Sequence, residues 1–248
     1  MTLSALTTWV NLQFAHWMQM DWQWAFVTVT LVHLSIYLVG GGVGWWLTRR
    51  VWPAMGLGQE IDQRPLKSGQ LAFELRNGLQ ACLLFGLVSL SYRSLCMGIW
   101  PENAATAIWQ LAAFVVFNNL YSYSTHRLLH HRSLIRFHGV HHRSTRVTPF
   151  SSYSVHAIEA IIIAATFPLF LLIVPMSLGM VFLLHAFGMM YTVCIHCNYD
   201  LWPSLSDHHW FKKLINHPTY HRYHHTLGNV NYGFTNRLLD ILFKTNKD

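Results

Sequence analysis

The sequence predicts an all-α integral-membrane helical bundle of about four to five apolar helices, carrying a histidine-rich helical cap on the cytoplasmic side. Two compositional facts predict the bundle. Of the 248 residues, 52% are hydrophobic and only 11% are charged, against about 25% charged residues in ordinary soluble domains. Several apolar runs also reach the length of roughly 20 residues that a spanning helix needs. The cap is predicted by the clustering of 17 histidines.

The first apolar run is Trp24 to Leu47, closed by Arg49 and Arg50. No basic residue precedes it and it outlasts a signal-peptide core, so it reads as a span rather than a cleaved leader. Gly78 to Trp100 is the second run and Ala104 to Tyr121 the third, with Pro101-Glu102-Asn103 as the turn between them. Ala157 to Ile195 is long enough to cross twice, and Pro175 and Ser177 near its middle mark a hairpin turn. Residues 1–120 thus form the N-terminal transmembrane helices. Residues 121–248 form a second unit that includes a transmembrane hairpin at about 157–195.

Charge gives the orientation. Segments 49–77, 122–156 and 196–248 hold all the Lys and Arg residues except Arg93. The positive-inside rule places these three segments in the cytoplasm, and alternation through five crossings puts them on one side as well. The net charge of +7 then reads as topology, and nucleic acid is not an expected partner. Gly40 to Gly44 lies in an apolar helix with no Lys-Ser/Thr after it, which indicates close helix packing rather than a phosphate loop. Cys194 and Cys197 form a CxxC without the βαβ surroundings of a redox motif.

Six histidines fall in residues 126–142 and four in 217–225. On helices, His126 and His130 share a face, as do His138, His141 and His142, and His221, His224 and His225. Neutral imidazole is the commonest metal ligand near pH 7 and suits iron, zinc, copper and nickel. Eight converging imidazoles exceed what one ion takes and suit two. His196, at the end of the last apolar helix, is a ninth candidate. His156, Asp200 and Glu159 are candidates for a further ligand or for a hydrogen bond to one, and Asn119 for such a hydrogen bond. Tyr121, Tyr123, Phe150 and Tyr153 are candidates for a lipid entrance. His33 and His185 read as packing residues inside the membrane, and His16, His208 and His209 as peripheral. No HExxH and no GxSxG occurs, so neither a zincin protease nor an α/β-hydrolase is indicated. A non-enzymatic metal transporter or haem-binding membrane protein is the competing class. A transporter would hold its ligands near the bilayer midplane, whereas these clusters lie outside the apolar runs.

The joint H-x3-H, H-x2-H-H and H-x2-H-H pattern resembles the fatty acid hydroxylase superfamily, also called the sterol desaturase family, from about Tyr121 to Thr245. HRLLHH, RFHGVHH, TPFSSYSVHAIEA, IHCNYD and the Asn231-Tyr232-Gly233 piece carry the resemblance. Thr148-Pro149-Phe150 with His156 looks most like sterol C-5 desaturases, and INHPTYHRYHH also looks like sphingoid-base hydroxylases. The C-terminal Leu239-Asp240-Ile241-Leu242-Phe243-Lys244-Thr245 keeps the Asp of the family's Trp-Asp-Arg-x-x-Gly-Thr-like segment but not its Trp or Gly. The resemblance implies that His126, His130, His138, His141, His142, His196, His221, His224 and His225 bind two non-haem iron ions, with zinc able to stand in for iron in purified material. It also implies hydroxylation or desaturation of a lipid C–H bond with O2 as co-substrate, and a separate electron donor, a ferredoxin or b-type cytochrome. The basic stretch from Arg127 to Arg146, with Lys212 and Lys213, is the expected docking surface for that donor. The membrane would be the bacterial inner membrane, or the endoplasmic reticulum in a eukaryote.

Overall fold

The computed structural model describes residues 2–205 and 209–247, apart from the side chains of Leu3 and Lys213. In chain order the helices are α1 (Leu3–Gln19), α2 (Trp22–Trp46), α3 (Trp52–Ala54), α4 (Gln70–Ser89), α5 (Tyr92–Leu95), α6 (Ala104–Leu129), α7 (Ile135–His142), α8 (Ala157–Ala164), α9 (Thr166–Leu171), α10 (Leu178–Ile195), α11 (Trp210–Leu214), α12 (Pro218–Leu227) and α13 (Leu238–Leu242). A π-helical turn, Leu47–Val51, joins α2 to α3. The extended backbone that pairs is two residues long on each side: β1 (Gln59–Glu60) lies antiparallel to β2 (Tyr199–Asp200).

Among the described residues, four helical stretches are long and apolar enough to cross a membrane: Trp22–Ala54, Gln70–Leu95, Ala104–Leu129 and Leu178–Ile195. The chain is therefore a multi-pass membrane protein. The fifth apolar stretch, Ala157–Leu171, is shorter and is broken near Ala165, where Pro168 removes a helical donor. It still reaches the far end of the bundle. The turn after it hydrogen-bonds to the turn after α5, through Met97 N to Met176 O at 2.9 Å and Gly179 N to Ile99 O at 2.7 Å.

The helix limits differ from the apolar runs in an informative way. α4 begins eight residues before Gly78, with Glu74 inside its first turns. α6 continues past Tyr121 to Leu129, so its polar last turns rise out of the apolar layer and carry His126. α1 has no counterpart among the sequence expectations. Its Trp9 and Leu12 are exposed, and it is tied to the far end of the bundle. Trp17 Nε1 donates to Ala25 O at 2.9 Å, and Arg93, the one basic residue outside the three basic segments, donates to Met18 O at 2.8 Å.

Two apolar cores hold the bundle. One joins α2, α4, α8 and α10 around Tyr37, Phe85 and Tyr153; the other joins α6, α9 and α10 around Phe114, Phe170 and Val181. Glycines let the backbones approach: a Cβ at Gly41 would meet the Phe150 ring at 2.7 Å, and one at Gly86 would meet Thr30 Oγ1 at 2.0 Å. Glu74, fully buried, pins α4 to the loop after α7. Its Oε1 accepts from Gln70 Nε2 and Ser144 Oγ, each at 2.7 Å, and its Oε2 accepts from Thr148 Oγ1 at 2.5 Å.

Glu74→Ala strands these three donors in the interior. The expected cost is about 3 kcal/mol of stability, measured as a lower melting temperature of the detergent-solubilised protein. An unchanged melt would show that this carboxylate anchors nothing.

Candidate metal centre

Nine imidazoles reach one place from four helices. The last turn of α6 carries His126, and His130 caps that helix. α7 carries His138, His141 and His142. His196 caps α10, and α12 carries His221, His224 and His225. The nitrogens fall into two groups. His126, His130, His138, His142 and His224 form one, and His141, His196, His221 and His225 form the other; within each, the ligand atoms lie within 4.8 Å of one another.

The grouping cuts across the sequence clusters. In α7, His138 and His142 face one group while His141 faces the other. In α12, His221 and His225 face the second group while His224 faces the first. Residues four apart lie on one helix face, and the histidine between them is turned aside. Each H-x2-H-H motif is therefore a fork that supplies both groups, not a single face.

The distances fit coordination. In the first group the Nε2 atoms of His126 and His138 are 3.1 Å apart, those of His138 and His142 3.1 Å, and those of His142 and His224 3.0 Å. In the second, His141 to His196 is 3.3 Å, His196 to His221 3.0 Å and His221 to His225 3.1 Å. A metal–nitrogen bond of about 2.0–2.1 Å makes the edge of an octahedron about 3.0 Å and that of a tetrahedron about 3.3 Å.

Protonation strengthens the fit. Several Nδ1 atoms have acceptors: Tyr232 O for His126 at 2.8 Å, Glu159 Oε1 for His138 at 2.7 Å, Val230 O for His224 at 2.7 Å and Thr192 O for His196 at 2.7 Å. A neutral ring that donates from Nδ1 has only a lone pair at Nε2. His126 and His138 thus face each other lone pair to lone pair at 3.1 Å. Without a cation between them that contact is repulsive; with one it is a pair of ligands.

Glu159 is buried against His138. Asp200 lies in neither nitrogen group; it accepts from Trp202 N at 2.8 Å and pairs with Lys212 Nζ at 3.4 Å, bracing the segment ahead of α12. His156 caps α8, accepting from Ile158 N at 3.1 Å. Asn119 accepts from Thr235 Oγ1 rather than from an imidazole. Tyr123 and Tyr153 are buried packing residues, Tyr153 stacked on Tyr37, so neither opens an entrance. Of the expected docking cations, Lys212 and Arg146 are buried in ion pairs and drop out, while Arg127, Arg132, Arg136 and Arg143 are exposed. His208 and the Lys213 side chain lie outside the described residues.

Apart from Glu159, which bonds His138, the supports were missed by sequence reasoning. Asp240, fully buried, accepts from Tyr232 N at 2.9 Å, Gly233 N at 2.7 Å and Thr245 Oγ1 at 2.7 Å. It thereby fixes the carbonyl that orients His126. Gly233 is required there, since a Cβ would meet Asn236 O at 2.2 Å. Glu74 holds the loop that leads from α7 to Ser154, whose carbonyl faces His141 Nδ1 at 3.4 Å. A lone Glu in an apolar helix was the available signal for Glu74; the carbonyl acceptors left none.

Burial pushes His130 down to about 3, with His126 and His142 adding like-charge repulsion. Burial likewise pushes His142 and His196 down to about 4. The unfolded chain therefore binds more protons than the folded one between these values and the ordinary 6.5. Metal-free protein is expected to be most stable above about pH 6.5 and to lose stability as pH falls toward 4. A pH series of thermal melts on chelator-treated protein checks this; a melting temperature that rises on acidification would contradict it.

Comparison with known proteins places the chain. Residues 111–245 match the family model described as Fatty acid hydroxylase. A Delta(7)-sterol 5(6)-desaturase of Gibberella zeae is 29% identical over 146 residues, covering 58% of this chain and 42% of that protein. The lathosterol oxidase of Rattus norvegicus is 27% identical over 138 residues, covering 55% and 44%. The ornithine lipid hydroxylase OlsE of Rhizobium tropici is 32% identical over 165 residues, covering 63% and 46%. The chain spans less than half the length of each of these three relatives. No solved structure matches it significantly. The matched stretch takes in more than half of the residues and all nine clustered histidines, and on that ground the chain belongs to the fatty acid hydroxylase family.

Proposed function

We propose that the protein is a membrane-bound di-iron oxygenase that hydroxylates or desaturates a lipid C–H bond, using O2 and electrons from a separate donor protein. The observation that carries this reading is the pair of imidazole groups, five and four nitrogens facing inward at ligand spacing, in a chain of this family. Two irons held there would supply oxygen activation. Imidazole-only donor sets accept iron and also zinc, so zinc is the expected substitute for iron in purified material.

The chain's own residues do the rest. Backbone carbonyls and Glu159 accept hydrogen bonds from the Nδ1–H groups of His126, His138 and His224 and aim their Nε2 lone pairs inward. His126 and His196 stand at the ends of two spanning helices, so the centre sits where the apolar layer meets its polar boundary. A lipid can present its chain to it from the bilayer without entering water. Tight burial of His138, His141, His221, His224 and His225 keeps bulk solvent from the reacting carbon. The sterol and ornithine-lipid activities of the relatives support a lipid substrate. The positive-inside rule favours a cytoplasmic face for the centre, and exposed Arg127, Arg132, Arg136 and Arg143 offer positive charge to an acidic ferredoxin or b-type cytochrome.

His141→Ala and His224→Ala each remove one nitrogen from a different group. Both are expected to abolish oxygen-dependent product from extracted membrane lipid and to lower bound iron, measured by metal analysis and lipid mass spectrometry. Full activity in both variants is incompatible with the assignment. Glu159→Ala leaves the ligand set intact but unties His138, so iron affinity should fall by roughly 10–100-fold while the melting curve of iron-saturated protein stays cooperative. Unaltered iron affinity would remove Glu159 from the centre's support.

A further inference from the structure

A cavity of about 810 Å³ opens where the first spanning helix leaves the apolar layer, with no imidazole among its lining residues. Its walls come from the end of α2, the π turn, β1, the Arg146–Pro149 loop and the residues around Cys197. Three guanidinium groups line it, those of Arg49, Arg50 and Arg146, against one carboxylate, Glu60. That carboxylate is already taken: Arg146 Nη2 donates to it at 2.6 Å, and Asn198 Nδ2 at 3.3 Å. No ion pair joins Arg49 or Arg50 to a carboxylate among the described residues. The Arg49 guanidinium lies instead 3.8 Å over the Trp45 ring. The cavity therefore carries an excess of two positive charges beside an indole.

The backbone is unusual at the same point. The π turn Leu47–Val51 contains both arginines, and single π turns within α-helices are rare and concentrate at functional sites. Thr48 Oγ1 donates back to Gly44 O at 2.8 Å and bridges the break.

An apolar track runs from the cavity into the bilayer. Along α2, Val39, Val43 and Trp46 are exposed, and nothing lies within 4 Å of a Cβ placed on Gly42. The track ends in a groove of about 420 Å³ between α2 and α10, where Ser35 and Ile36 face Phe182 and Ala186. Ser35 and Arg49 stand about 21 Å apart along the helix. One leaflet including its headgroup layer is about 20–22 Å thick, so the near edge of the groove lies about one leaflet below the basic end.

A soluble anion would use the basic end and not the groove. A neutral lipid would use the groove and not the guanidinium groups. We propose that this cavity binds the phosphate of an anionic membrane phospholipid, whose acyl chain lies along α2 into the groove between α2 and α10. The bound headgroup would touch Cys197, next to His196, and Thr148, which Glu74 holds. It would thereby brace two of the segments that carry the imidazole centre. The binding requires no turnover, so it stands or falls independently of the proposed reaction.

The test titrates the purified full chain in detergent micelles with dioleoyl-phosphatidylglycerol, dioleoyl-phosphatidylcholine and glycerol 3-phosphate, reading retained ligand by native mass spectrometry. One phosphatidylglycerol is expected to bind with clear preference over phosphatidylcholine. Arg49→Gln with Arg50→Gln should weaken it by roughly tenfold or more. Lys67→Gln with Lys247→Gln removes the same charge from exposed positions elsewhere and should leave it unchanged. Ala186→Trp fills the groove and should weaken both lipids without affecting glycerol 3-phosphate. The proposal is overturned by equal retention of the two lipids, or by arginine variants that match the lysine control. Glycerol 3-phosphate binding as tightly as the lipid would make this a soluble-anion site instead, and full lipid affinity in Ala186→Trp would remove the chain from the groove.

Discussion

The structure turns on unprotonated imidazole nitrogens held together inside protein. Nitrogen pairs stand 3.0 to 3.3 Å apart, and where both rings donate from Nδ1, as His126 and His138 do, they meet lone pair to lone pair. Burial denies them protons, since it depresses the affinity of every one of these rings outside the spans. Only a cation placed among them turns that repulsion into attraction. The surrounding fold has to hold this arrangement against its own electrostatics until an ion arrives.

That requirement explains where the buried polar groups sit. Glu159 orients His138 directly. Asp240 acts at one remove, gripping the amides of Tyr232 and Gly233 so that the Tyr232 carbonyl meets His126. Glu74 acts at two removes, through Ser144 and Thr148, on the loop beside His141. Three carboxylates that are nearly or wholly buried are costly in an apolar bundle. Glu74 and Asp240 are satisfied by donors from the loops that flank the histidine helices, and Glu159 meets His138 through Oε1, so each converts its burial into rigidity at the centre.

Much of this was legible in the sequence, for reasons that differ by residue. The spans could be read because a bilayer imposes both length and apolarity, and the long runs around Val39, Val88 and Leu184 satisfy both. The extra turns of α6 could not, because Ser122, Ser124 and Thr125 end the apolar pattern without ending the helix. The histidines declared themselves by density. Their partition between two groups did not, since H-x2-H-H read as a flat pattern suggests one face, and only the packed helices show which ring turns aside. Supports such as the Tyr232 and Val230 carbonyls were invisible because every residue has a carbonyl, and only tertiary structure selects one. Lys212 misled for the opposite reason: a lysine beside another lysine reads as surface, yet Asp200 draws it inward.

The fork in each H-x2-H-H motif has a mechanical consequence. α7 contributes to both nitrogen groups, and so does α12. A shift of either helix changes the two groups together, and neither can be completed while the other is disassembled. His141 and His142 are neighbours in sequence, as are His224 and His225, so the separation of the two groups is set by adjacent residues on rigid helical turns rather than by loops. Two ions held this way would keep a fixed spacing whatever lipid lay beside them. That is the property the proposed reaction demands of two ions acting jointly on one O2 molecule, and it follows from helix geometry before any chemistry is assigned.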